Sequence, residues 1–165
     1  MQKKKIKYVD EMVCFQEVPD ETTLSFSISN CPYRCDGCHS KYLWKDVGIY
    51  VEDVLERELK KYSGLITCVL FMGGDDSLQV ESLIKCVNIC KEHGLKTALY
   101  SGAYDVSDTL YKKFDYIKIG PYVKSLGGLD HTTTNQKMLK KLTDGSFEDI
   151  THRFLKKKKL YDSSF

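Results

Sequence analysis

The 165-residue sequence has little of what would place a protein in a membrane, outside the cell or on a nucleic acid. No apolar run approaches the ~20 residues a membrane-spanning helix needs. The N-terminal Met1-Gln-Lys-Lys-Lys5 lacks the apolar core of a secretory signal, so a cytoplasmic protein without a membrane partner is expected. The net charge is only +2, too small to imply nucleic acid as a partner. Lysines do gather at residues 3–7 and 156–159. Such runs are ordinarily solvated termini, and the sharper reading is a docking surface for an acidic partner. No repeat beyond a strand–helix unit and no internal boundary is evident, so residues 1–165 read as one domain. With 42% hydrophobic residues, a domain of this size can bury a core without covalent staples.

Also missing is any second Cys-x2-Cys pair. The chain has seven cysteines, an odd number that fits metal or redox chemistry better than a disulfide framework. Three of them fall within eight residues, in Cys31-Pro-Tyr-Arg-Cys35-Asp-Gly-Cys38-His39. The preceding residues 23–29 alternate apolar and small polar side chains, the period of a half-buried strand. Asn30 and Pro32 end that strand, so the cysteines sit on a loop at its C-terminal end, where βα folds carry their chemistry. Cys35 and Cys38 alone suit a redox dithiol, but Cys31 is then unexplained. A zinc site would draw on Cys31 and His39, although zinc knuckles normally bring a second ligand pair from a distant stretch. Three thiolates can also hold an iron–sulfur cluster with one open position. The spacing leaves zinc and iron–sulfur both standing.

The rest of the chain alternates strands and helices. Residues 6–18 suggest one or two short strands around a turn at Asp10-Glu11. Residues 50–62 place Val51, Val54, Leu55 and Leu59 at helical spacing, and Ser63-Gly64 ends the run. Residues 65–72 form an almost unbroken apolar run, the mark of a strand covered on both faces, stopped by Gly73-Gly74. A helix over residues 80–90, a strand over 96–101, a helix over 105–114 and a strand over 115–119 follow, with a last short strand within 147–155. Cys68, Cys86 and Cys90 fall in apolar stripes and read as core packing. Short connections between alternating elements predict an α/β fold with a mostly parallel sheet and right-handed crossovers, too short for a closed barrel of eight units. Residues 126–136 are rich in turn formers, with little to bury, and are expected to be mobile until a partner orders them.

The cysteine spacing C-x3-C-x2-C on the loop after a first strand resembles the signature of radical S-adenosylmethionine enzymes. Beyond that loop, Phe71-Met-Gly-Gly-Asp-Asp76, Thr97-Ala-Leu-Tyr-Ser-Gly102, Tyr116-Ile-Lys-Ile-Gly-Pro-Tyr122 and Leu126-Gly-Gly-Leu-Asp130 with Asn135-Gln136 resemble the small activating proteins of anaerobic ribonucleoside-triphosphate reductases. The resemblance implies an open partial (βα) barrel. It implies a [4Fe–4S] cluster on Cys31, Cys35 and Cys38, and S-adenosylmethionine held by Gly73, Gly74 and Asp75. Gly37, Cys38, His39 and Ser101 would touch the same cofactor. Implied partners are the reductase, on which a glycyl radical is made, and reduced flavodoxin or ferredoxin as electron donor. The activating enzyme of another glycyl-radical enzyme, of formate-lyase type, is the alternative, and a non-catalytic metal-binding adaptor is the more distant one. Many family members carry an acid before the Gly-Pro pair, where this chain has Ile119.

Overall fold

A computed structural model describes residues 2–155 of the chain. The basic run 156–159 lies outside the described residues. Strands β1 (Lys7–Cys14), β2 (Thr23–Ile28), β3 (Ile49–Tyr50), β4 (Cys68–Met72), β5 (Lys96–Tyr100), β6 (Tyr116–Ile119), β7 (Lys137–Lys141) and β8 (Phe147–Asp149) form one sheet in the order β3-β1-β2-β4-β5-β6-β7-β8. Helices α1 (Val51–Lys61), α2 (Val80–Glu92) and α3 (Asp108–Lys113) lie between the central strands in sequence. The sheet stays open, with β3 and β8 at its edges. No helix among the described residues is long and apolar enough to cross a membrane.

The expected parallel sheet is present only in the centre, where β2, β4, β5 and β6 pair in parallel. Every pairing outside that group is antiparallel, so the sheet is mixed rather than mostly parallel. The reason lies in the connections. Each parallel step crosses over through an α-helix, whereas short links such as residues 15–22 or the turn before β8 can only return a chain antiparallel. Residues 6–18 do not turn at Asp10-Glu11. Residues 7–14 form a single strand, with a register shift between Tyr8 and Asp10 that absorbs the irregularity. The lysine-rich β7 was hidden because its buried alternation rests on Met138 alone.

Alternation along the strands divides the core. Leu24, Phe26 and Ile28 of β2, with Val69, Phe71, Leu99 and Ile117, face the helices and pack on Leu55, Leu59, Leu83 and Val87. Burying each such side chain is worth about 1.5–3 kcal/mol. Cys86 and Cys90 lie fully buried in this layer, as packing residues. Ile119 belongs to it too, so an acid at that position would be aimed into apolar side chains. Helix α1 carries Glu52 and Asp53 in its first turn and Lys60 and Lys61 in its last, both favourable to the helix dipole. Helix α3 starts later than its periodicity indicates, because the Ser107 hydroxyl accepts from the Leu110 N–H and fixes the cap. On the opposite face, Cys68, Leu70, Ala98, Tyr116 and Met138 form a second cluster with Val18 and Ile150.

The parallel register aligns Ser27 with Met72, Met72 with Tyr100, and Tyr100 with Lys118. The C-terminal ends of β2, β4 and β5 therefore reach one edge of the sheet at the same height. The cysteine loop, the Gly73-Gly74-Asp75 turn and Ser101-Gly102 meet there.

Candidate active site

The cysteine loop is closed at its base by Asn30 N–H donating to Lys45 O at 3.0 Å and Cys31 N–H donating to Leu43 O at 2.9 Å. These bonds lay the loop against a 3-10 turn at Lys41–Trp44. Asn30, Arg34 and Gly37 adopt left-handed backbone, with φ of 61°, 43° and 71°. Such reversals let a short loop turn its three thiols to one side. Cys38 N–H donates to Cys35 O at 3.1 Å, and Ser40 N–H reaches the Cys38 sulfur at 3.3 Å. Burial pushes the Cys31 thiol up. The Tyr33 and Arg34 N–H groups that face its sulfur act in the opposite direction, and the nearby Cys35 and Cys38 thiolates push it up further. Cys31 is thus within electrostatic reach of both other loop cysteines.

All three loop cysteines are free and partly accessible. Burial drives the Cys86 thiol up to about 12 and raises Cys68 and Cys90 higher still, so those three are poor thiolate ligands. Among the described residues no three His, Cys, Asp or Glu side chains stand converged at metal-ligand geometry. The donor set still fits an iron–sulfur cluster: three neighbouring thiols on one loop, with backbone N–H groups directed at sulfur.

Gly73 and Gly74 carry φ of 110° and 88°, which only glycine adopts without strain. A Cβ at Gly74 would meet Ile6 at 3.0 Å, and one at Gly73 would meet Ile28 at 3.5 Å. On their Cβ side these glycines pack against the protein itself, and the turn delivers Asp75.

Asp75 is the centre of the site. The Tyr33 hydroxyl donates to its Oδ2 at 3.1 Å, and the Ser101 hydroxyl donates to the same oxygen at 2.5 Å. Ser101 Oγ in turn accepts from Ala103 N–H at 3.0 Å. The other oxygen, Oδ1, is buried and has no hydrogen-bond partner. Burial raises the carboxyl above its ordinary range, while the two hydroxyls counter part of that rise. Tyr33 sits between the first two cysteines, and its ring lies on Gly102, where a Cβ would come within 2.7 Å of it. One tyrosine thereby ties the cysteine loop to both neighbouring strand ends.

The other expected contacts are more scattered. Gly37 is covered by the Lys124 side chain, which a Cβ there would approach to 3.1 Å. His39 is exposed, with its ring centroid 5.3 Å from that of Tyr122. The Ser101 hydroxyl is engaged with Asp75. Residues 126–136 are held more firmly than their composition indicates. Thr133 and Thr134 donate to Leu126 O and Gly127 O, Asn135 to Pro121 O, and buried Gln136 to Gly120 O. The consecutive threonines that looked like loose turn residues are the cross-links. Sequence reading passed over Tyr33; the one signal for it was its place between two ligand positions.

Residues 26–162 match the Radical SAM superfamily, and the chain belongs to it. Its members in general carry a [4Fe–4S] cluster and use S-adenosylmethionine. Among curated proteins, the chain is similar to a pyruvate formate-lyase-activating enzyme of Clostridium pasteurianum, 32% identical over 83 residues and 45% of this chain. The matched stretch spans about a third of that relative, 34% of its length.

Proposed function

We propose that the chain is a glycyl-radical-enzyme activase that reductively cleaves S-adenosylmethionine, with an anaerobic ribonucleoside-triphosphate reductase as its protein substrate. The observation that carries this reading is the unpartnered Oδ1 of Asp75, held beside the three-thiol loop by Tyr33 and Ser101. A buried carboxylate oxygen without a donor is costly, and the ammonium of an amino acid moiety satisfies it. When bound, the cluster and cofactor supply one-electron cleavage and hydrogen-atom abstraction.

The chain's own residues bind and orient. Cys31, Cys35 and Cys38 would hold the cluster in an open partial (βα) barrel. Asp75 would anchor the methionine ammonium, and Tyr33 would lock the cluster loop to that anchor. Gly37, His39 and Ser101 would border the nucleoside end. The expected electron donor is reduced flavodoxin or ferredoxin, in the cytoplasm.

A second reading, activation of a formate-lyase-type enzyme, is favoured by the curated relative, though over only a third of that protein's length. Anaerobic incubation of the reconstituted chain with S-adenosylmethionine, reductant and each candidate substrate protein separates the two. Electron paramagnetic resonance should show a glycyl radical on the reductase. A radical formed only on the lyase selects the second reading, and a radical on neither refutes both.

A further inference from the structure

The loop that carries the three cysteines also carries an excess of positive charge. Residues 31–45 hold Arg34, Lys41 and Lys45 against a single acid, Asp36. Arg34 and Lys41 both lie over the Trp44 ring, 5.5 and 5.8 Å from its centroid, and all three cations are exposed. Lys124 adds a fourth where its side chain covers Gly37. Among the described residues none of the four makes an ion pair. Two like charges gathered on one indole repel, and the ring face offsets only part of that repulsion. The positive face continues into the N-terminal lysines. Lys4 and Lys7 pair with Asp46, Lys5 with Glu52 and Lys3 with Glu81, so four cations meet three acids there. These lysines, with Asp46 and Tyr50, wall a groove of about 300 Å³. Apolar surface is interleaved with the charge: Tyr42 is 48% exposed and Val47 44%. Aromatic side chains and an arginine beside exposed apolar surface are the make-up of a protein interface.

We propose that this face, centred on Arg34, Trp44 and Lys41, docks an acidic one-electron carrier protein. This deepens the activase reading, which needs an electron from outside, and rests on it. Electron transfer weakens steeply with distance, so a donor has to sit where the thiol loop comes to the surface, and all three loop cysteines are partly accessible. One electron leaves the carrier and enters the iron–sulfur centre, with no bond made between the two proteins. Opposite charge speeds the encounter without demanding a large interface, which suits a transient redox complex.

The test compares reconstituted wild type with Lys41→Glu, which reverses an exposed charge outside the thiol and Asp75 groups, and with Lys41→Arg as the conservative control. Reduced flavodoxin is the acidic probe. Photoreduced deazaflavin, small and uncharged, is the probe that needs no docking. Bleaching of the visible cluster absorbance is followed with each at low and high salt, with iron content measured alongside. In Lys41→Glu the second-order rate with flavodoxin should fall about tenfold at low salt, and the gap should close at about 1 M, where charges are screened beyond ~3 Å. Lys41→Arg should match wild type, and deazaflavin should bleach all three alike. An unchanged flavodoxin rate in Lys41→Glu places the donor elsewhere and overturns the proposal. An equal fall with deazaflavin overturns it too, by showing that the charge serves the cluster itself. A flavodoxin rate left intact while glycyl-radical yield on the substrate protein drops gives the face to that protein instead. Release of 5′-deoxyadenosine by wild type under deazaflavin is read in parallel; its absence sinks the activase reading while donor docking is still measured.

Discussion

Asp75→Asn is the most informative single substitution in the site. The amide keeps the size of the carboxylate and can still accept from Tyr33 and Ser101 through its oxygen, so the corner formed by β2, β4 and β5 should persist. What disappears is the negative charge and the free acceptor Oδ1. A charge-assisted hydrogen bond contributes about 1.5–3 kcal/mol, which corresponds to a Kd for S-adenosylmethionine about 10- to 150-fold higher. Stability should move the other way. Because burial raises the Asp75 pKa above its unfolded value, ionisation costs folding energy: the contribution is fully present at low pH and is lost as pH rises through the folded pKa. Replacing the carboxylate removes that titration, so urea unfolding should show the variant losing less stability than wild type as pH rises through the folded pKa. Calorimetry on the reconstituted protein, with iron content measured alongside, reads the binding half. Unchanged cofactor affinity at normal iron content would remove Asp75 from the site, and a variant with the same pH dependence of stability as wild type would show that folding does not shift the Asp75 carboxyl.

The remaining predictions concern the loop, the tie and the helical face. Cys31→Ala, Cys35→Ala and Cys38→Ala should each abolish iron binding, whereas Cys86→Ala should keep it at a packing cost of about 1 kcal/mol; equal iron loss in Cys86→Ala would overturn the ligand set. Gly102→Ala places a methyl 2.7 Å from the Tyr33 ring, so it should displace Tyr33 from Asp75, cost about 1–3 kcal/mol in thermal unfolding and weaken cofactor binding. Glu11, buried beside Glu58, has its pKa pushed up to about 7, so its stabilising contribution, complete below about pH 4.5, is lost as pH climbs towards 7. Glu58, held low by the hydrogen bond from Glu11, offsets part of this. Glu11→Gln should flatten the stability profile over that range; a profile as steep as wild type would show that the two carboxylates do not share a proton.

The central strands and helices were legible because their signals are local. The unbroken apolar run ending at Met72 and the stripe of Val51, Val54, Leu55 and Leu59 each carry their own periodicity. The antiparallel edges were not, because β3 is two residues long and β7 shows one buried apolar side chain among lysines. Pairing there comes from neighbouring strands rather than from the segment itself. At the site, the cysteine loop and Asp75 could be read from motif and position. The packing of Gly73-Gly74 could not: it depends on φ and on the Ile6 and Ile28 side chains, and both are properties of the folded chain. Tyr33 is likewise invisible in sequence, since its partners Asp75 and Gly102 are 42 and 69 residues away. The threonines of residues 126–136 look like flexible filler until their acceptors, Leu126 O and Gly127 O, are seen across the turn.

The central claim is that the three-thiol loop and the Asp75 corner together run S-adenosylmethionine cleavage. Its most direct test is formation of 5′-deoxyadenosine by the anaerobically reconstituted chain under dithionite, followed by chromatography, beside Cys35→Ala and Asp75→Asn. Wild type should release the nucleoside, Cys35→Ala should release none, and Asp75→Asn should release it only at raised cofactor concentration. Nucleoside from Cys35→Ala at the wild-type rate, or none from wild type carrying a full cluster, would contradict the claim.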